Sequence, residues 1–131
     1  MSQENVDLVR RGYEHFARTG EPHASLYAPD IEWHSAAEDP GQEVFHGVEG
    51  VKKLTAEVRE AIDDFRTEPF ELLDAGDKVV AGLIHRGRGK GSSAEVEMRE
   101  WIVFLIRGGR IASVHEYSER EEALEAAGLS E

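Results

Sequence analysis

Residues 86–101 read RGRGKGSSAEVEMREW, and the reading of this stretch decides the fold. Its first half has the glycines, cations and serines of a phosphate-cradling loop. A P-loop, however, needs a Lys followed directly by Ser or Thr, and Lys90 is followed by Gly91. A dinucleotide fingerprint needs glycines spaced two and then three apart at the mouth of a helix. Here Gly87, Gly89 and Gly91 are evenly spaced. The AEVEMREWIVFLI that follows is rich in β-branched and aromatic residues and has no helix-start signal. The preceding VVAGLIH also reads as a strand, so the stretch is a hairpin, two long strands joined by a Gly/Ser-rich connector. On the second strand Glu97, Arg99 and Trp101 recur at period two and share one face.

Working outward, the spacing predicts a meander of strands over 67–74, 78–88, 94–107 and 111–117. The turns are Ala75-Gly76-Asp77, the glycine-rich connector and Gly108-Gly109. Before the meander the pattern is helical. Ser2 is placed to cap a first helix whose Val6, Val9, Tyr13 and Phe16 lie on one face, ending at Gly20. A helical turn at 23–27, stopped by Pro29, leads to a strand over 31–35 and a polar loop through Glu38, Asp39, Pro40 and Gly41. A second helix is predicted over 49–64, its stripe traced by Val51, Leu54, Val58, Ala61, Ile62 and Phe65. After the meander, Ser118 and Glu121 have the spacing of a capping box for a last helix that closes at Gly128. Helices first and then long strands imply one α+β domain over 1–131, with the helices on one face of a curved antiparallel sheet.

Bulk composition narrows the function classes. The 131 residues contain no cysteine, so disulfide and thiol chemistry are excluded and a reducing cytoplasm is expected. A net charge of −12 repels nucleic acid and anionic membranes, and neither is expected as a partner. No apolar run approaches membrane-spanning length. The six histidines lack metal-ligand spacing, and there is no G-x-S-x-G elbow, so neither a metal nor a serine nucleophile is expected.

Several short pieces, in order, resemble the SnoaL-like branch of the nuclear transport factor 2-like fold: LYAPDIEW (26–33), FHGVEGVKKL (45–54), AGDKVV (75–80), RGGRI (107–111) and HEYSEREEALEAAGL (115–129). The resemblance implies a cone-shaped α+β barrel with an apolar pocket between the concave sheet face and the helices. It also implies a homodimer through the sheet and cofactor-independent chemistry on a small apolar molecule. Steroid-isomerase relatives use a helix Tyr, a base after the first strand and an acidic donor on a long strand. Those positions fall on Tyr13, Ser35 and Trp101, of which only Tyr13 matches. Epoxide-hydrolase relatives use Asp-Arg-Asp. Glu116 falls on the last Asp, and the earlier two fall at Leu83 and His85, or at Arg86 in a shifted register.

The candidate acid/base and polarising groups are therefore Glu116, Arg99, Glu97 and His85, with Tyr13 as a hydrogen-bond donor. Trp33, Trp101, Ser35 and Phe16 are the candidate substrate contacts, the two tryptophans expected to meet at the pocket. Two-residue alternation puts Glu116 on one face and His115 with Tyr117 on the other, and a one-residue slip would exchange them. Isomerisation, cyclisation or hydration is one reading of this set, and a non-catalytic binding or dimerisation module of the same fold is the other.

Overall fold

The computed structural model describes residues 2–36 and 43–129, so the polar loop expected at 38–41 lies outside the described residues, as does the side chain of Ser2. In chain order the elements are α1 (Ser2–Thr19), a 3-10 turn (Ala24–Leu26), β1 (Tyr27–His34), β2 (Val44–His46) and α2 (Gly47–Ala61). These are followed by β3 (Ile62–Ala75), β4 (Lys78–Gly89), β5 (Glu95–Arg107), β6 (Arg110–Tyr117) and α3 (Arg120–Ala126). The molecule is α+β.

One curved, unclosed sheet carries six strands in the order β2-β1-β6-β5-β4-β3. From β3 to β6 the strands are joined by hairpins and pair antiparallel. Gly108 and Gly109, at φ 57° and 77°, form the turn that a two-residue hairpin of the sheet's own twist requires. The stretch 86–101 is a hairpin as read: His85 faces Met98 across it, and Arg86 faces Glu97. The sheet is not antiparallel throughout, because β1 pairs with β6 in parallel. Successive hairpins set the direction of β6, whereas α2 carries the chain across the sheet, so no tight turn forces β1 to oppose it.

Two helix boundaries differ from the sequence reading. The second helix ends at Ala61, and Ile62 and Phe65 belong to β3. No glycine or proline marks this stop. The pattern changes from helical to alternating at IDDFRTEPF, and Ile62 is drawn to the sheet where its Cγ2 packs against the bare Cα of Gly87. The last helix has Glu119 at its N-cap with no side-chain capping bond, so Ser118 stands one residue before the N-cap position that the sequence reading gave it. Its C-terminus closes as expected, with Gly128 at φ 79° and the Leu129 N–H donating to Leu124 O at 2.8 Å.

The two faces of the sheet carry different cores. α1 and α2 cover the concave face, where Val6, Val9 and Val51 meet Val79, Ala81, Leu83, Ile102, Phe104 and Val114. α3 covers part of the outer face, where Ala123 packs on Val80 and Val103, beside Trp101 and Tyr117. This division decides which residues can share a site.

Candidate functional site on the concave face

Strand alternation sends Leu83 and His85 of β4, Glu100 and Ile102 of β5, and Val114 and Glu116 of β6 to the concave face. Trp33 joins them because it pairs with Val114 in parallel register. From above, α1 lowers Tyr13 against Phe104, edge to face at 6.2 Å, and Phe16 against Phe65 at 6.2 Å. A largely apolar interior thus contains two carboxylates and an imidazole beside the Tyr13 phenol.

Each carboxylate is held by a named donor. Trp33 Nε1–H donates to Glu116 Oε2 at 2.8 Å. His85 Nε2 lies 2.6 Å from Glu100 Oε1, in a pair whose side chains are 11% and 17% exposed. Both carboxylates act on Tyr13. Burial pushes its hydroxyl well above the ordinary phenol range, and Tyr27, Glu100 and Glu116 push it further. Tyr13 therefore stays protonated at any physiological pH, a hydrogen-bond donor beside two potential bases. Burial likewise raises the Tyr27 hydroxyl.

The register question is settled by these pairings. Glu116 faces inward, while His115 stacks on His34 at 4.1 Å and Tyr117 packs beside α3. His85 faces inward, while Arg86 faces outward and bonds Glu68 and Glu97.

Four sequence candidates do not join the cluster. Trp101 shares a face with Glu97 and Arg99 as expected, but that face is the outer one. The helices that seal the interior pack on the alternate residues Ile102 and Phe104, so Trp101 meets Phe70 and α3 and does not meet Trp33. Its indole N–H is buried and short of a hydrogen bond, although it helps Arg120 hold the Glu71 carboxyl below the usual range. Glu97 pairs with Arg86 and not with Arg99, whose guanidinium lies 5.5 Å over the Phe70 ring. Both are exposed. Ser35 is committed to backbone pairing: its Oγ donates to Glu43 O at 3.1 Å and accepts from Glu43 N at 2.8 Å.

Two inner polar residues escaped the sequence reading, Glu100 and Thr67. Thr67 Oγ1 lies 2.8 Å from His85 Nδ1. Extending the alternation of Ile102 and Phe104 backward finds Glu100. That signal is weak because WIVFLI is apolar on both faces, α3 covering the second. Elsewhere, an open recess of about 490 Å³ is lined by Glu4, Asn5, Asp7, Leu8, Arg11 and Gly109. It lies at the Gly108-Gly109 end of the sheet and touches none of the inward carboxylates. Among the described residues no three His, Cys, Asp or Glu side chains converge as metal ligands. No described helix is long and apolar enough to cross a membrane.

Comparison with known proteins agrees with this architecture. An uncharacterized protein of Mycobacterium tuberculosis is 29% identical over 116 residues, covering 86% of this chain and 87% of its own. A Catenulispora acidiphila protein with a ketosteroid isomerase-like fold, solved in complex with trimethylamine, superposes with TM-score 0.73 at 20% identity. That match covers 93% of this chain and 92% of the other. An NTF2-like protein of unknown function from Burkholderia pseudomallei superposes with TM-score 0.76 at 22% identity, over 93% and 95% of the two chains. The SnoaL-like domain model matches residues 9–114, which runs from within α1 to within β6, and the chain accordingly belongs to the SnoaL-like family.

Proposed function

We propose that the concave face is an acid/base site for a small, largely apolar carbonyl or hydroxyl compound, working without a cofactor. The observation that carries this reading is the pair of inward carboxylates, Glu116 on Trp33 and Glu100 on His85, beside a phenol held protonated. In a largely apolar setting, part-buried carboxylates are suited to accept a proton from carbon, and a protonated phenol is suited to polarise a carbonyl. Glu116 is the proton acceptor in this reading, Tyr13 donates to the substrate oxygen, and Trp33 and Phe16 pack on the substrate. Glu97, Arg99 and Trp101 take no part. Isomerisation and cyclisation both fit such a set.

The test is hydrogen exchange at carbon. Indanone and tetralone incubated with the protein in deuterated buffer should gain deuterium next to the carbonyl, and Glu116→Gln should slow the gain about 10²-fold or more. In a Trp101→Phe background, Trp33 is the remaining tryptophan and reports binding by its emission. Saturable binding of these ketones with no exchange would instead favour a non-catalytic binder. The same reading takes a second copy of the chain as partner through the outer sheet face, where Phe70 is 45% exposed beneath Arg99. Sedimentation should then show a dimer that Phe70→Asp dissociates.

A further inference from the structure

Both ring nitrogens of His85 are engaged, in a line that crosses three adjacent strands. Thr67 on β3 sits directly opposite His85 on β4 and meets Nδ1 at 2.8 Å. Glu100 on β5 is diagonal to His85 and meets Nε2 at 2.6 Å. The ring is clamped face-on by Phe65, centroids 5.4 Å apart and planes 22° from parallel, and Phe65 is braced edge-on by Phe16. Turning the imidazole over would break both polar contacts. Hydrogen bonds at both nitrogens satisfy a buried imidazole, and here they also join it in line to a hydroxyl and a carboxylate on the inner face.

We propose that Thr67, His85 and Glu100 form a hydroxyl–imidazole–carboxylate relay that takes the oxygen-bound proton of an enol or alcohol at Thr67. The proposal rests on the acid/base reading of the concave face and adds to it the group that handles the oxygen. The relay requires a resting imidazole that donates Nε2–H to Glu100 and accepts the Thr67 hydroxyl at the Nδ1 lone pair. A substrate hydroxyl donates to Thr67 Oγ1. As its proton moves to Oγ1, the proton already on Oγ1 moves to Nδ1. The products are an enolate or alkoxide and an imidazolium beside the Glu100 carboxylate, which stabilises the new positive charge. No other reactant is consumed, and by microscopic reversibility the imidazolium returns the proton by the same path. Thr67 is the catalytic member, and His85 and Glu100 are positioning residues.

Two measurements on the intact chain test this. Nitrogen-15 correlation spectra of the His85 ring at neutral pH should show the neutral Nε2–H tautomer. Thr67→Val should shift the Nδ1 resonance, and Thr67→Ser should restore it. An imidazolium or an Nδ1–H tautomer in the wild type overturns the relay, because neither leaves Nδ1 able to accept. In the ketonisation of the enol of 2-acetyl-1-tetralone, whose hydroxyl proton would leave through Thr67 as carbon is protonated, Thr67→Val should lower kcat about 10²-fold with KM little changed, and Thr67→Ser should stay near wild type. Ketonisation that survives Thr67→Val but is lost in Glu116→Gln overturns the relay and leaves the acid/base reading standing. Absence of ketonisation in the wild type overturns the relay, and absence of indanone exchange as well overturns both. If the valine variant does not fold, a Thr67→Ser variant without the Nδ1 contact or the ketonisation rate refutes the proposal equally.

Discussion

The indole–carboxylate contact between Trp33 and Glu116 can be weighed by a double-mutant cycle of Trp33→Phe and Glu116→Ala. A hydrogen bond to a charged group contributes about 1.5–3 kcal/mol. Glu116 is half-buried and keeps some contact with water, which puts the contact in the lower part of that range, about 1.5–2 kcal/mol of coupling. The cycle removes the packing lost with the smaller phenyl ring and the other interactions of Glu116, since each appears in one single variant and again in the double. An unfolding entropy of about 2.1 cal/mol/K per residue over 131 residues makes about 0.28 kcal/mol/K. The coupling is then worth about 5–7 °C in Tm. The assay is urea unfolding of the four proteins followed by far-ultraviolet circular dichroism, because removing Trp33 compromises fluorescence as a common probe. Coupling below about 0.5 kcal/mol is ordinary additivity and would refute the pairing. It would remove with it the reason to place Glu116 at the centre of the site.

Four further predictions concern the frame around the site. At Gly87 an added Cβ would stand 2.4 Å from Ile62 Cγ2 and 2.8 Å from the Asp63 carbonyl, so Gly87→Ala should cost about 2–3 kcal/mol by chemical denaturation. At Gly82 the nearest atoms are the tip of the exposed Phe70 ring at 2.8 Å, which can swing away, and the packed Trp101 Nε1 at 3.0 Å, which must give a little, so Gly82→Ala should cost about 1–2 kcal/mol. Tyr13 and Tyr27 have raised pKa values in the fold, so their contribution is complete below about pH 10 and is lost as pH rises further, at about 1.4 kcal/mol per pH unit for each. Phenolate absorbance should therefore rise together with the loss of circular dichroism, and Tyr13→Phe should flatten the alkaline limb. Burial and the stacked His34 lower the His115 pKa, so its contribution is complete above about pH 6.5 and is lost as pH falls, and His115→Gln should flatten stability between neutral and mildly acid pH.

Most of the architecture was legible because hairpins and amphipathic helices have local causes. Gly76, the Gly108-Gly109 pair and the even glycines of 86–91 marked turns, and period-two patterns marked strands. Two things were not local. β2 is three residues long, too short for the strand preference of Val44 and Phe45 to announce it, and it forms where Phe45 is laid against Trp33 of β1. The inner and outer faces of β5 are both apolar near its middle, one under α1 and α2 and the other under α3. Alternation therefore grouped Glu97, Arg99 and Trp101 correctly, yet gave no sign of which face the long helices would take. In β6 the same ambiguity held, since alternation set Glu116 apart from His115 and Tyr117 without saying which side meets the long helices, and it took the packing of Val114 in the inner core to decide it. The His85–Glu100 contact is diagonal across two strands, so it became visible only once the register was known.

Because the sheet does not close, two rows of backbone donors and acceptors are left without a neighbouring strand. One row, on β2, is too short to template anything. The other runs along β3, at 14 residues one of the longest elements in the molecule, and would be a ready landing place for a stray strand from another chain. Its sequence works against that. Pro69 removes a donor, register breaks between Asp63 and Arg66 and between Pro69 and Glu71 twist the rim, and Asp64, Arg66 and Glu68 hold hydrated charge along it. The rim thus acts as a guard against fibrillar stacking, and the sheet can stay open along β3 through the residues that spoil that edge.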